Sequence, residues 1–257
     1  MILYSPRIKS VLAAALLAGI HGETAVAKTA APPEGLFADQ CSHDADHEHL
    51  NKIVPLYETT FATTLSWLEE APGLQLKRLI QLNLRHNPPD FPLILQAVSE
   101  ALRHGPQYCL QCVSPAARKF TNRANAVQRE VQRMLGFIRF VPKDEQTLVA
   151  KPLLFHHTAD LILRRFQGRY PAHKLVLILD NCAVSLFHQQ LSKEPAAPYL
   201  PYIKDPAAEE LWRRYYQSQY INSRKNIPLA RQHIPQKYWD WLNEGQMLKT
   251  EKDENPE

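Results

Sequence analysis

The chain has 257 residues, enough for one large domain or two small ones, and its apolar and charged fractions are typical of a soluble globular protein. It contains neither a G-x-x-x-x-G-K-[ST] nor a G-x-G-x-x-G loop, which excludes the common nucleotide-binding motifs. The net charge of +4 is uneven, with −3 over residues 1–112, +10 over residues 113–231 and −3 over residues 232–257. A cationic central segment suits a polyanion such as nucleic acid, although it also fits an ordinary basic surface.

The first 27 residues allow two interpretations. Arg7 and Lys9 precede an apolar run over residues 11–20, and Ala25-Val26-Ala27 resembles a cleavage site, as in a secretory signal peptide. The alternative is a short strand, Ile2-Leu3-Tyr4, followed by a buried or amphipathic helix. We favour the strand and helix because of a family resemblance given below, and therefore expect a cytoplasmic protein. The run is too short to span a membrane as a helix, so no membrane partner is expected.

Two groups of potential metal ligands occur in the first half of the chain. Residues 21–50 are polar and predict a loop, which contains His43, His47 and His49 among acidic residues. Cys109 and Cys112 form a single C-x-x-C pair, whereas a structural zinc site needs four ligands. We expect no metal and no cofactor, although the sequence does not settle whether either group binds a metal.

A helical region is predicted between residues 56 and 135. One helix face contains Tyr57, Phe61 and Leu68, and a second helix covers Leu74 to Leu84. Asp90 can cap a third helix, while Ser114 and Pro115 are typical of the first residues of a fourth. This fourth helix carries Arg118, Lys119 and Arg123 near its start, where the helix dipole disfavours cations. That placement favours a role for these cations in binding a ligand.

The fourth helix runs into a basic corner. Val127, Val131, Met134 and Leu135 share one face, and Arg129 and Arg133 lie on another. We expect Gly136 to end the helix and residues 137–141 to form a strand that carries Arg139. The corner is either an anion-binding surface or an ordinary helix–strand junction with solvated arginines.

The second half predicts a small sheet. Residues 137–141 and 147–151 read as one hairpin, and residues 175–179 and 183–187 read as another with Asp180 in its turn. A helix ending at Gly168 separates the two hairpins. We predict an α+β fold with a helical N-terminal part, a four-stranded antiparallel sheet of two hairpins, and C-terminal aromatic helices.

The C-terminal region combines aromatic and basic residues. A long helix should start at Asp205 and carry Tyr215, Tyr216 and Tyr220, with Arg224 and Lys225 nearby. A short aromatic helix over residues 234–242 should dock on the body. The predicted organisation is residues 1–55 as an N-terminal strand, helix and loop; residues 56–244 as an α+β domain divided at residue 135; and residues 245–257 as a disordered tail.

Three segments together resemble an uncharacterised bacterial family described as a probable DNA-metabolism protein. They are the corner with G-F-x-R-F at residues 136–140, the strand before Asp180, and the stretch 215–239 that ends in P-x-x-Y-W. The matching residues are Glu130, Gly136, Phe137, Arg139, Phe140, Asp180, Tyr216, Arg224, Asn226, Leu229, Pro235, Tyr238 and Trp239. The resemblance covers roughly residues 56–244. Ile227 separates Asn226 from Pro228, where the family usually has Asn-Pro.

The resemblance implies a DNA-repair context but supplies no reaction. Members accompany a radical-SAM protein proposed to modify or repair DNA, and some are fused to a uracil-DNA-glycosylase-like domain that we do not expect here. The chain has no C-x-x-x-C-x-x-C motif, so radical chemistry would belong to the partner.

Three functions follow as hypotheses. The first is a DNA-binding accessory protein in which phosphates contact Arg129, Arg133, Arg139, Arg224 and Lys225. The second is an enzyme acting on a damaged base or nucleotide, with Glu130, Asp180 and His156 as acid/base candidates. The third is an adaptor for the radical-SAM protein, which exposed rings at Tyr216, Tyr238 and Trp239 would favour. We expect nucleic-acid binding rather than catalysis.

Overall fold

The computed structural model describes residues 1–30, 43–180, 182–203 and 233–242, together with positions 214, 218, 228 and 229. The chain divides into two compact units, residues 1–130 and residues 131–257. Arg224, Lys225 and the predicted tail over residues 245–257 lie outside the described residues. The helix predicted to start at Asp205 also lies outside them, except for positions 214 and 218. None of the helices in the described part combines the length and apolarity needed to cross a bilayer.

The first unit contains a three-stranded parallel sheet built on the start of the chain. Its strands are β1 (Ile2–Tyr4), β2 (Ala25–Ala27) and β3 (His43–Asp44), in the order β2-β1-β3. Because parallel neighbours need a crossover connection, helix α1 (Ile8–His21) joins β1 to β2. The structure therefore has a strand and a helix where we favoured them. The loop predicted over residues 21–50 is wrong at β2 and β3, which are too short to show a strand pattern.

Helices α2 (Leu50–Phe61), α3 (Ala71–Arg85) and α4 (Phe91–His104) pack against α1. Helices α5 (Pro106–Leu110) and α6 (Pro115–Phe137) follow, and α6 continues past the end of the first unit. Residues 11–17 of α1 are all buried, together with Ile94 and Val98 of α4, so an almost wholly apolar helix lies in a core rather than on a surface. The side chain of Asp90 caps α4 by accepting a hydrogen bond from the Leu93 amide at 3.2 Å, as predicted.

The second unit contains a five-stranded mixed sheet in the order β4-β5-β6-β7-β8. The strands are β4 (Val141–Pro142), β5 (Thr147–Ala150), β6 (Lys174–Ile178), β7 (Ala183–Phe187) and β8 (Gln190–Glu194). Both predicted hairpins form, but β5 and β6 pair in parallel through helix α7 (Ala159–Gln167), and β8 adds a fifth strand. The α+β class is confirmed, whereas the purely antiparallel, four-stranded sheet is wrong.

The sheet of the second unit is covered on both faces. Leu175 and Leu177 of β6 face a core that includes Phe166 of α7, while Val176 and Ile178 face a second cluster with Tyr199. A strand buried on both faces needs apolar residues at every position, which explains the unbroken Leu-Val-Leu-Ile run of β6.

The junction after α6 differs from the prediction. Gly136 lies within α6, which continues to Phe137, and its backbone is not in the left-handed region that ends a helix. The strand therefore begins at Val141 rather than at Phe137. The helix predicted over residues 234–242 is a short 3-10 helix, Gln236–Tyr238, and Tyr238, Trp239 and Leu242 are buried in the second unit as the docking prediction required.

Candidate nucleic-acid interface

Helix α6 starts as its sequence predicts. The Ala117 amide donates to the Ser114 side-chain oxygen at 2.9 Å, and the Ser114 hydroxyl donates in turn to Glu100. Pro115 occupies the first helical position, where its missing N–H costs nothing. Phe120, Ala124 and Val127 are completely buried, so the orientation of α6 is fixed by one packed face.

The opposite face of α6 carries unpaired positive charge. At 3.6 residues per turn, Arg118, Asn122, Arg129 and Arg133 fall within an arc of roughly 60°, and the row extends over roughly 22 Å. Arg118 and Arg129 are exposed and Arg133 is half-buried. Within the described part of the chain, none of these three guanidinium groups forms an ion pair with a carboxylate. We call this row the α6 basic face.

A pocket of about 380 Å³ lies beside the first turns of α6. Its lining includes His86, Arg118, Lys119, Asn122, Arg123 and Ala126. All of these residues belong to the first unit, and three of them are cations. We call this cavity the α6 pocket.

The cations of the α6 pocket are held by neighbouring groups to different degrees. Arg123 donates from Nη2 to the Pro88 carbonyl at 2.6 Å, while its Nε is buried and has no hydrogen-bond partner among the described atoms. Lys119 donates to Asp90 at 2.9 Å, and this hydrogen bond lowers the pKa of that carboxyl. Asp90 therefore stays ionised at neutral pH and offsets one of the three positive charges.

His86 lies at the edge of the same pocket in an environment that disfavours its charged form. Burial lowers the pKa of His86, and the nearby Arg123 charge adds to that effect. Its Nδ1 lies 3.2 Å from the Pro88 carbonyl, which can only accept a hydrogen bond, so Nδ1 carries the proton. At pH 7 the ring is thus a neutral polar group beside the three cations.

Three of the five predicted phosphate-binding residues lie in the described part. Arg129 and Arg133 are on α6, and the exposed Arg139 follows it, donating to the carbonyl of Gly136. A cation that donates to a terminal carbonyl stabilises a helix C-terminus, so Arg139 has a structural role beside any ligand contact. Arg224 and Lys225 lie outside the described residues.

The acid/base candidates have separate environments. Glu130 is buried on α6, and Asp180 is exposed in the β6–β7 turn, which is closed by a 2.7 Å hydrogen bond from the Leu179 amide to the Cys182 carbonyl. His156 lies in the loop before α7, where its carbonyl accepts the Thr158 amide at 2.9 Å. A second pocket of about 550 Å³ lies beside the turn between β7 and β8. None of these three candidates lines either pocket. Asp180 has the position of an ordinary turn residue.

Three of the potential metal ligands, Cys109, His43 and His47, have surroundings that differ from a metal site. Cys109 is completely buried, and burial raises the pKa of its thiol to about 12, so it stays protonated. The ring of His43 stacks on His21 at 4.5 Å, and His47 Nδ1 lies 3.3 Å from Asp44. Among the residues that the structure describes, no group of three or more His, Cys, Asp or Glu side chains is arranged to hold a metal ion.

Three aromatic residues of the two sequence motifs, Phe137, Phe140 and Tyr238, lie in one hydrophobic cluster. The Tyr238 ring packs edge-on against Phe137 at 5.7 Å and Phe155 at 5.3 Å, while Phe140 packs against Phe166 at 5.0 Å. The G-F-x-R-F and P-x-x-Y-W motifs are thus largely packing motifs. Tyr238 and Trp239 do not offer the exposed rings that an adaptor surface would need, and Tyr216 lies outside the described residues.

A comparison with family models matches residues 88–244 to a domain of unknown function, DUF4130. The chain belongs to the DUF4130 family. No curated protein gives a significant match. The DUF4130 region includes the whole of α6, the five-stranded sheet and both aromatic motifs, so the resemblance to an uncharacterised family is confirmed at that level. The region begins at Pro88, the residue whose carbonyl contacts both His86 and Arg123.

The sequence of this DUF4130 protein predicts only part of the α6 pocket. The cluster of Arg118, Lys119 and Arg123 indicates ligand binding because cations are unfavourable at the positive end of a helix. The sequence gives no signal for His86, since nothing local connects it with residues thirty positions later. The fold, rather than a motif, brings the α3–α4 connection to the start of α6.

Proposed function

We propose that this chain is an accessory protein of DNA metabolism that binds nucleic acid through the α6 basic face. The observation that carries the proposal is the row of arginines, Arg118, Arg129 and Arg133, without an ion-pair partner in the described part of the chain. Unpaired guanidinium groups on a rigid helix can meet backbone phosphates without first breaking internal ion pairs. The excess of ten positive charges over residues 113–231 adds a long-range attraction to a polyanion.

The wider context of the proposal comes from the family resemblance. We propose that the protein works with a radical-SAM protein that modifies or repairs DNA, and that any radical or base-excision chemistry belongs to partner domains. The described part of this chain supports binding better than catalysis, because Glu130, Asp180 and His156 lie outside both described pockets.

The test is binding to single- and double-stranded DNA across a salt series, measured by fluorescence anisotropy. Each phosphate neutralised on a duplex should contribute about −0.9 to the slope of log K against log salt. Arg129→Gln and Arg133→Gln should each weaken binding and make this slope shallower by about 1. Arg78→Gln removes an equivalent exposed charge from α3 and should leave the slope unchanged.

Two outcomes would count against the proposal. Absence of binding at low salt would overturn DNA contact and favour an adaptor that meets DNA only through its partner. Equal effects of Arg78→Gln and Arg129→Gln would show that binding follows total charge rather than the α6 basic face.

A further inference from the structure

We infer that the α6 pocket binds a terminal phosphate group, the phosphomonoester at the end of a nucleic-acid strand or on a free nucleotide. The inference deepens the proposed function, because it assumes that the ligand is a nucleic acid or its building block. It assigns Arg129 and Arg133 of the α6 basic face to internal phosphates. The α6 pocket, which shares Arg118 and Asn122 with that face, is assigned to a phosphate at a chain end.

The charge of the pocket favours a dianion. Arg118, Lys119 and Arg123 line the pocket. Asp90 pairs with Lys119, and the charge of Glu130 also acts on His86 at the pocket edge. A phosphodiester carries one negative charge, whereas a phosphomonoester carries about two at pH 7 and offers three acceptor oxygens. A lining with an excess of cations therefore attracts the monoester more strongly than the diester.

The hydrogen-bond inventory of the pocket contains an unused donor. Arg123 is fixed in position because its Nη2 donates to the Pro88 carbonyl at 2.6 Å. Its Nε is buried without a partner among the described atoms, so a ligand in the pocket does not reach that atom. The unused donor is Arg118, whose exposed guanidinium lines the pocket without a carboxylate partner in the described part of the chain, and a phosphate oxygen would supply its acceptor.

The start of α6 adds to the preference for an anion. Arg118 and Lys119 are the fourth and fifth residues of α6, next to the positive end of the helix dipole, so these side chains increase a positive potential that is already present. Such an arrangement is unfavourable without a counter-charge, and a bound dianion turns the same interactions into stabilising ones.

The size and neutral lining of the pocket fit a phosphate with its attached sugar. About 380 Å³ lies at the small end of the range for small-molecule sites. Ala126 has a side chain short enough to leave this space open, while Asn122 and the neutral His86 can form hydrogen bonds with hydroxyl or ring oxygens. The pocket thus combines a cationic part with polar groups that carry no charge.

The experiment compares oligonucleotides of one sequence that carry a 5′-phosphate, a 3′-phosphate or only hydroxyl ends, with the fluorophore placed internally. Free deoxynucleoside monophosphate competes in a parallel series. We expect the wild-type chain to bind one of the phosphorylated ends about tenfold more tightly than the hydroxyl end, as one added charge-assisted contact allows.

Three variants separate the pocket from the rest of α6. Lys119→Gln removes a pocket cation, and Ala126→Leu fills the cavity without changing charge while keeping a good helix former. Both should abolish the preference for a phosphorylated end. Arg129→Gln should weaken binding of all three oligonucleotides by the same factor and leave the preference intact.

The outcomes distinguish this inference from the proposed function. Binding of all oligonucleotides with equal affinity would overturn the terminal-phosphate site and leave the proposed function standing. Binding of the free nucleotide alone, abolished by Ala126→Leu, would support the pocket and overturn binding through the α6 basic face. Retention of the end preference in Ala126→Leu would overturn the assignment to this pocket, and absence of all binding would overturn both proposals.

Discussion

Replacement of Glu194 by glutamine should destabilise the second unit in a pH-dependent way. Glu194 lies at the centre of a polar network: Lys174 donates to its carboxylate at 2.9 Å, and the hydroxyls of Ser185 and Tyr199 donate to it as well. Burial alone would raise the pKa of Glu194, but these hydrogen bonds outweigh that effect and lower the pKa to about 2. The folded state therefore stabilises the ionised carboxylate.

The magnitude follows from the difference between the folded and unfolded pKa values. A fall from 4.5 to about 2 corresponds to about 3 kcal/mol of free energy of unfolding at neutral pH. The carboxylate side chain is 25% exposed, and solvent screening reduces the expected value to about 2 kcal/mol. Because the folded pKa is the lower one, this stabilisation is present above pH 4.5 and disappears as the pH falls towards 2.

The measurement is urea unfolding between pH 3 and pH 7, followed by tryptophan fluorescence, for wild type and Glu194→Gln. The variant should be less stable by about 2 kcal/mol at pH 7, and more than half of that difference should be lost at pH 3. Glu145→Gln is the matched control, since Glu145 is exposed in the β4–β5 turn of the same unit. A difference that stays constant from pH 7 to pH 3 would refute the electrostatic reasoning and indicate a packing effect.

Three backbone sites, two glycines and a two-residue turn, give further predictions, each checked by urea unfolding. Gly136→Ala should stabilise the protein by about 0.5–1 kcal/mol, because Gly136 is helical and an added Cβ would meet nothing within 4 Å; a loss of stability would contradict this. Gly73→Ala should lower the free energy of unfolding by about 2–3 kcal/mol, since its Cβ would lie 2.3 Å from the Leu68 carbonyl oxygen. An unchanged stability would show that the backbone at Leu68 moves to accommodate the Cβ. His188 and Gln189 form the two-residue β7–β8 turn, both with positive φ (45° and 68°), beside a second pocket of about 550 Å³. Replacement by Asn-Gly should add about 1 kcal/mol, and an unchanged midpoint would argue against strain there.

Local patterns predicted the elements whose signals are contained in a few turns of chain. The Asp90 and Ser114 caps, the apolar β6 strand and the helix before Gly168 all depend on neighbours in sequence, and the structure has each of them. Residues 25–27 and 43–44 were missed because strands of two or three residues have no measurable period. Their pairing with β1 is decided by tertiary contacts.

The prediction of the candidate site is incomplete for the same reason, because part of the site is formed by tertiary contacts. Arg129 and Arg133 could be placed on an exposed face of α6 from periodicity alone. Only the cation cluster of the α6 pocket could be predicted. The rest could not, because His86 and Arg123 are brought together through the Pro88 carbonyl, a contact between distant parts of the chain. The parallel pairing of β5 and β6 was likewise invisible, since neither strand's own residues record the direction of its neighbour.

The contact of Tyr238 with Phe137 and Phe155 has a consequence for synthesis of the protein. Phe137 precedes Tyr238 by about 100 residues and Phe155 precedes it by about 80, so the aromatic cluster cannot close on a ribosome until Tyr238 has been synthesised. During that interval Phe137 and Phe155 lack the ring that covers them. A chain that ends before Tyr238 would expose an aromatic surface to chaperones and proteases, which makes synthesis beyond Tyr238 a condition for a stable second unit.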